Sequence, residues 1–196
     1  MTTTTSASTS ATSVADVTGD YVIDPIHSRI GFVARHAMVT KVRGGFTRFT
    51  GSLHLDGQNH EVSHAQLEVE VVSVDTRNEQ RDGHLRTNDF FDAENHPLIT
   101  FASTGVERVD DDNFRVTGDL TIKGVTRSVT VDWEYNGLAT DPYGNFRAGF
   151  EGKTTLNRSD FGINFNAALE TGGVLVSDKI QLEFDISAVK SVLAAA

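Results

Sequence analysis

Apolar and polar side chains alternate with a period of two along most of the chain from residue 28 onward. This alternation is typical of β-strands that bury one face, and eight segments show it. In the clearest segment, Phe114, Val116 and Leu120 alternate with polar residues. The other seven predicted strands are centred on residues 30–34, 49–55, 67–71, 99–101, 129–133, 146–150 and 180–186. The pattern therefore predicts eight strands, each with one apolar face.

Short polar segments between these strands indicate antiparallel hairpins. Residues 110–113 and 123–124 are turn formers that join neighbouring strands. Parallel strands would need long crossovers and continuous apolar runs instead. Eight antiparallel strands can close into a barrel that holds packed side chains or one slender ligand, and closure removes exposed edges. We therefore expect an all-β, eight-stranded antiparallel barrel rather than a sandwich.

Two connections, 76–97 and 157–177, are too long to be simple turns. Loops of this length usually carry function or form lids. The first connection contains good helix formers around Arg81 and Asp82, so a short helix is expected there. Residues 188–196 are expected to form only a frayed turn.

Composition supports a β-rich domain and excludes several classes of protein. The chain contains 21 Val and 22 Thr, and its 12 Phe supply material for a core. Its 17 basic and 27 acidic residues give a net charge of −10, which disfavours a nucleic-acid binder. No apolar run approaches the roughly 18 residues of a membrane-spanning helix. The absence of cysteine excludes disulfides, thiol nucleophiles and iron–sulfur clusters.

The ends of the chain differ from its middle in composition. Residues 1–18 contain seven Thr, four Ser and no aromatic residue, so we predict a disordered tail. The predicted barrel domain covers residues 19–190, and 191–196 form a C-terminal tail. A secretory signal would place basic residues before an apolar stretch, but the first cationic side chain is Arg29. A cytoplasmic location is therefore expected.

A series of short motifs, in a characteristic order and spacing, resembles one known family. The motifs are Tyr21-Val22-Ile23-Asp24, His27-Ser28, Phe32 to His36, Gly45-Phe46, Phe49-Thr50-Gly51, Arg81-Asp82-Gly83-His84-Leu85, Phe90-Phe91-Asp92, Phe101-Ala102-Ser103, Val116 to Thr121, and Arg158-Ser159-Asp160-Phe161-Gly162. None is specific alone, but together they resemble the YceI family of polyisoprenoid-binding, lipocalin-like proteins. The resemblance covers about residues 20–188.

The resemblance implies an elongated eight-stranded barrel whose apolar tunnel holds a long isoprenoid or a similar lipid. It also implies a frequent homodimer and no catalysis, and we predict no cofactor. The chain departs from exported members of the family by its Ser/Thr-rich tail, and Tyr21 stands where tryptophan is usual. The exchange keeps an aromatic side chain at this position.

The candidate tunnel residues share the apolar faces of the predicted strands. Small residues lie among large Phe side chains on these faces and leave room inside a barrel. The fourteen candidates are Ile30, Phe32, Ala34, Leu53, Leu67, Val69, Phe101, Val116, Gly118, Leu120, Val131, Phe150, Leu182 and Phe184. Without the family resemblance, an ordinary packed core explains the same pattern equally well.

The two long connections supply the candidate headgroup or lid residues. These are Arg81, Asp82, His84, Leu85, Arg158 and Asp160. The favoured interpretation is a structural network of Arg and Asp that pins the lid, with an Arg158–Asp160 pair clamping the second connection. Headgroup recognition is an alternative. Catalysis by Asp82 and His84 as a general base is a third, weakened by the absence of a nucleophile elbow.

A metal site is the remaining chemical candidate, because His60 and His64 have the spacing of residues on one helix face. Zinc sites normally need three or four converging ligands, so a solvated loop is favoured and no metal is predicted.

The favoured function is sequestration or transport of a long-chain isoprenoid, such as a quinone precursor or a polyprenyl phosphate. Two alternatives stay open: a dimeric interaction module whose barrel is filled, and an enzyme using Asp82 and His84 at the tunnel entrance.

Overall fold

The computed structural model describes residues 17–170 and 172–191. The predicted tail lies outside the described residues except for Val17 and Thr18, and so do residues 192–196. The strands are β1 (Gly19–Ile23), β2 (Arg29–His36), β3 (Thr40–Phe46), β4 (Phe49–Leu55), β5 (His64–Glu70), β6 (Val74–Asp75), β7 (Leu98–Arg108), β8 (Asn113–Ile122), β9 (Val125–Thr140), β10 (Phe146–Asn157) and β11 (Lys179–Lys190). One α-helix, α1 (Glu79–Arg86), lies between β6 and β7.

These strands form a closed antiparallel barrel of eight strand lines, three of which are broken. β1 and β2 follow one another along β11, with Ile23 opposite Ala188 and Arg29 opposite Asp185. β2 turns back into β3, and β4 continues that line to pair with β1. β5 and β6 form the third line, and β7 to β11 follow in sequence order. The predicted barrel is confirmed.

The broken lines are where the strand prediction was incomplete. It contained β2, β4 and β5 but omitted β1, β3 and β6. β3 contains Gly44 and Gly45 and few large apolar residues, and β6 has two residues. The frayed turn expected over residues 188–196 is wrong for 188–190, which continue β11, while 192–196 lie outside the described residues. Ala188 pairs with both Ile23 and Ala148 and is fully buried.

Both predicted hairpins are present. In the β8–β9 turn, Lys123 and Gly124 have φ angles of 50° and 74°, the left-handed conformation that a two-residue hairpin requires. In the β7–β8 turn, the Asp110 carboxylate accepts hydrogen bonds from the backbone N–H groups of Asp112 and Asn113. Local polar residues therefore fix the order of these strands.

The short helix expected in the first connection is α1. It begins after Asn78, whose side chain accepts a hydrogen bond of 2.9 Å from the backbone N–H of Arg81. The second connection contains a 3₁₀ turn, Arg158–Phe161. The two connections meet where the Phe165 ring contacts Phe90 and His84, with centroids 5.2 and 4.8 Å apart. Together they cover one end of the barrel, and we call α1, Phe90, Phe91 and residues 158–163 the plug.

No helix among residues 17–170 and 172–191 has the length and apolar character needed to cross a membrane.

Candidate functional site

An apolar cavity with a volume of about 290 Å³ occupies the interior of the barrel. Along β8 its wall runs from Phe114 to Ile122, about 26 Å at the usual rise of a strand. The volume lies at the lower end of the range for small-molecule pockets. A long, narrow, apolar space fits one extended chain better than a compact ring system.

The structure places every predicted tunnel residue except Gly118 on the cavity wall. The residues that line it are Ile30, Phe32, Ala34, Leu53, Leu67, Val69, Phe101, Val116, Leu120, Val131, Phe150, Leu182 and Phe184. Gly118 does not, because the ring of Phe101 covers it: a Cβ at residue 118 would be 2.4 Å from Phe101 Cζ. The glycine leaves the space that the ring occupies. Whether the wall residues contact a ligand stays a prediction.

The same arrangement occurs three times around the barrel. A cavity-lining aromatic ring lies over a glycine of the adjacent strand, and a Cβ there would come within 2.4 to 2.6 Å of the ring. The pairs are Phe32 with Gly44, Phe101 with Gly118, and Trp133 with Gly152. Glycine thus makes room for rings along the wall rather than directly for a ligand.

Several wall residues were not among the candidates. Trp133 lines the cavity and stacks on Phe184, with ring centroids 5.4 Å apart. Its place on the apolar face of β9 was visible in the alternation of the sequence. Phe161 and Ile163 also line the cavity from the plug. These two residues lie in a segment without strand periodicity, so the alternation of apolar and polar residues did not predict them.

At the end opposite the plug, polar side chains join the wall. We call Asp56, His60, Ser63, His64 and Arg108 the rim. His60 lies in a 3₁₀ turn, His60–Val62, against Phe114, whereas His64 begins β5 and stacks on His54. The two histidines therefore do not share a helix face. No three potential ligands converge on a metal-sized site within the described part of the chain.

Arg81 and Asp82 hold the start of the first connection by binding one residue, Thr76. Asp82 is 6% exposed and accepts hydrogen bonds from the Thr76 backbone N–H (2.9 Å) and hydroxyl (2.5 Å). Arg81 donates to the Thr76 hydroxyl and carbonyl oxygens at 2.7 and 2.8 Å. Among the described residues no ion pair joins Arg81 to Asp82, and neither lines the cavity. The network is centred on Thr76 rather than on a direct pair.

His84 is not paired with Asp82. Its Nε2 atom lies 2.8 Å from a carboxylate oxygen of Asp89, and its ring packs edge-on against Phe90 and Phe165. Side chains two residues apart on a helix do not face each other, which is why the predicted pair does not form. Of the four α1 candidates, only Leu85 lines the cavity.

Arg158 is 7% exposed and lines the plug end of the cavity, where it holds the second connection together. Its guanidinium donates to the carbonyl oxygens of Ser177 (3.0 Å) and Ile163 (2.8 Å). Burial lowers the pKa of Arg158 from its usual value. The predicted Arg158–Asp160 pair is wrong: Asp160 is exposed, lies away from the cavity, and accepts a 3.4 Å hydrogen bond from Asn157. The cation is clamped by backbone carbonyls instead.

A second charged network, which the sequence did not indicate, fixes the break between β1 and β2. Arg147 donates to carboxylate oxygens of Asp24 at 2.6 Å and of Asp141 at 2.8 Å. The hydrogen bond from Arg147 lowers the pKa of Asp24 to about 2. Ser28 bonds the backbone of Ser187 on β11. These residues stabilise the fold of the barrel and lie far from the plug.

A family model described as the YceI-like domain matches residues 21–188. The chain belongs to the YceI family. A UPF0312 protein of Staphylococcus epidermidis is 41% identical over 163 residues, covering 82% of this chain and 91% of the relative. A UPF0312 protein of Staphylococcus aureus is 38% identical over 165 residues, covering 84% and 94%.

Three solved structures share the barrel. BcnA of Burkholderia cenocepacia superposes with a TM-score of 0.75 at 25% identity, covering 84% of this chain and 98% of BcnA. The Campylobacter jejuni YceI protein gives 0.70 at 29% identity, covering 81% and 90%. A polyisoprenoid-binding domain from Saccharophagus degradans gives 0.67 at 18% identity, covering 87% and 98%, and shows a shared fold.

Proposed function

We propose that this YceI protein binds a linear isoprenoid or a similar amphiphilic lipid in its barrel and carries it shielded from water. The observation that carries the proposal is the continuous apolar wall from the rim to the plug. The Saccharophagus degradans domain of the same fold, described as polyisoprenoid-binding, supports the choice of ligand. Each 100 Å² of chain buried contributes about 2.5 kcal/mol before ordering costs.

The proposed orientation follows from the polar groups. The tail lies in the cavity, and the head lies at the rim, where His60, His64 and Arg108 can face a polar or anionic group. A quinone precursor or a polyprenyl phosphate has this form. We propose binding without catalysis, because Asp82 and His84 are engaged separately with Thr76 and Asp89. The homodimer and the cytoplasmic location stay predictions.

Extraction and titration test the proposal together. Protein purified without detergent is extracted with organic solvent, and mass spectrometry identifies the lipid released. Stripped protein is then titrated with geranylgeraniol and geranylgeranyl phosphate while the fluorescence of Trp133, the single tryptophan of the chain, is recorded. We expect a co-purified prenyl lipid and saturable changes in fluorescence. A lipid-free extract with no fluorescence response would favour the filled interaction module instead.

A further inference from the structure

An exposed apolar patch lies at one corner of the plug end of the barrel. Met38 and Val39, at the turn between β2 and β3, are 53% and 77% exposed, and Val174 in the neighbouring segment is 38% exposed. A Cβ at Gly173 would lie 3.8 Å from Met38 Cγ, so the two segments are in contact. We call residues 35–41 together with 172–175 the hairpin tip.

The hairpin tip is held in a defined shape rather than left loose. Ala37 donates a backbone hydrogen bond of 2.7 Å to Leu175, and Val39 donates one of 3.0 Å to His36. Ala37 and Met38 have φ angles of 49° and 61°, left-handed positions that hairpin turns usually give to asparagine and glycine. The chain thus places an exposed methionine where asparagine or glycine would give a more stable turn. Strain of this kind points to a functional reason for the side chain.

Two cations flank the patch on the β2–β3 side. Arg35 and Lys41 are exposed and lie directly opposite each other across β2 and β3, an arrangement that disfavours strand pairing. Neither side chain forms an ion pair within residues 17–170 and 172–191. Residues 25–55 contain five Lys or Arg and no Asp or Glu, and the other three cations pair with Glu183 or Glu70. The adjacent segment carries the exposed carboxylates Glu170 and Asp178, and Asp178 accepts hydrogen bonds from Ser159.

The hairpin tip adjoins the cavity wall. Ala34, three residues before the turn, lines the cavity, and so does Val176, which forms a β-bridge with His36. The surface patch and the interior are therefore joined through two short backbone segments.

We propose that the hairpin tip docks on the anionic surface of a lipid bilayer. Met38, Val39 and Val174 enter the interface, and Arg35 and Lys41 lie among anionic headgroups. A small projecting patch of three apolar side chains with unpaired cations suits a bilayer, whereas a stable protein interface covers about 800 Å² on each partner. The proposal goes beyond binding in the cavity and does not depend on which lipid lies there.

Flotation of the full chain with vesicles tests the proposal. Vesicles consist of phosphatidylcholine alone or of an equal mixture with phosphatidylglycerol. We expect the protein to float with the mixed vesicles and to dissociate as salt is added. Arg35→Gln with Lys41→Gln should lower partitioning about 25-fold, at about fivefold for each cation. Met38→Asn with Val39→Ser should also reduce partitioning, because it removes two apolar side chains from the hairpin tip. Asparagine is chosen at residue 38 because it tolerates the left-handed conformation.

Two control variants remove similar groups elsewhere. Tyr143 is 90% exposed in the β9–β10 turn at the opposite end, and Lys153 is exposed on β10. Tyr143→Ser and Lys153→Gln should float like the parent protein. Equal loss in the control and hairpin-tip variants would overturn the proposal, as would equal flotation with neutral vesicles. Equally tight binding of duplex DNA, or self-association that the tip variants abolish without any flotation, would also overturn it. If the protein does not float with the vesicles, the ligand binding measured by Trp133 fluorescence still tests the proposed function on its own.

Discussion

Replacing Gly152 by alanine places a methyl group against the face of Trp133. The added Cβ would lie 2.6 Å from Trp133 Cε3 and 2.7 Å from Cδ2 and Cζ3. Ordinary contacts between carbon atoms are about 3.5–4.0 Å, so the ring must shift by about 1 Å. Trp133 lines the cavity, and the direction away from Gly152 leads into it. The substitution therefore narrows the cavity without touching any polar group.

The expected magnitude follows from the cost of overpacking a core. An extra methyl group in a packed site costs about 1–3 kcal/mol. For a domain of this size, that lowers the melting temperature by about 2–12 °C. If the free energy of binding becomes less favourable by the same amount, the Kd for geranylgeraniol rises by about five- to 150-fold. The fluorescence of Trp133 should also shift in the unliganded protein, since the perturbed ring is itself the reporter.

Gly105→Ala is the matched control for this variant. Gly105 is exposed at a bulge of β7, and a Cβ there meets nothing within 4 Å. This variant should melt and bind like the parent protein. If Gly152→Ala also keeps the melting temperature, spectrum and Kd of the parent, the interpretation of the glycine as a seat for the indole ring is refuted.

Three further predictions concern stability. Gly83→Ala, in the interior of α1 with open space around it, should raise the free energy of unfolding by about 1 kcal/mol in urea titrations and leave ligand affinity unchanged. The carboxyl of Asp24 has a pKa of about 2 in the folded state, below its usual 3.8, so its stabilising contribution is complete above pH 3.8 and is lost as pH falls through 2. This amounts to about 2 kcal/mol, and Asp24→Asn should flatten that part of the pH profile of unfolding; an unchanged profile would contradict the assignment to the Arg147 ion pair. Ala37→Asn with Met38→Gly should stabilise the β2–β3 turn by about 1–2 kcal/mol, measured by thermal unfolding, and a less stable variant would contradict the strain argument.

Strand periodicity predicted the barrel because a period of two survives wherever one face stays buried along a whole strand. β8 is such a strand: Phe114, Val116, Leu120 and Ile122 all line the cavity. Periodicity misses the weaker piece of an interrupted line. β1 shares a line with β2, but residues 24–28 separate them, and β1 has only five residues whereas β2 has eight.

Charged contacts were the least predictable feature of the site and of the barrel around it. Neighbours in sequence suggested Asp82 with His84, yet a helix directs these side chains to different sides. The real partners are Thr76 and Asp89. Asp24 and Arg147 lie 123 residues apart, so nothing local indicates their contact. Closure of the barrel brings them together, and only the three-dimensional arrangement reveals that pair.

The position of β11 has a consequence for how the protein is made. β11 pairs with β10 on one side and with β1 and β2 on the other, and it is the last strand within the described part of the chain. Until β11 is made, the preceding strands can therefore form only an open sheet, with two unpaired edges and its apolar face exposed to water. Such edges invite pairing with other chains, and closure must wait for contacts between residues as distant as Tyr21 and Lys190. We expect the barrel to close only once β11 has emerged from the ribosome, and a nascent chain stopped before Lys179 to depend on chaperones rather than to fold into a smaller barrel.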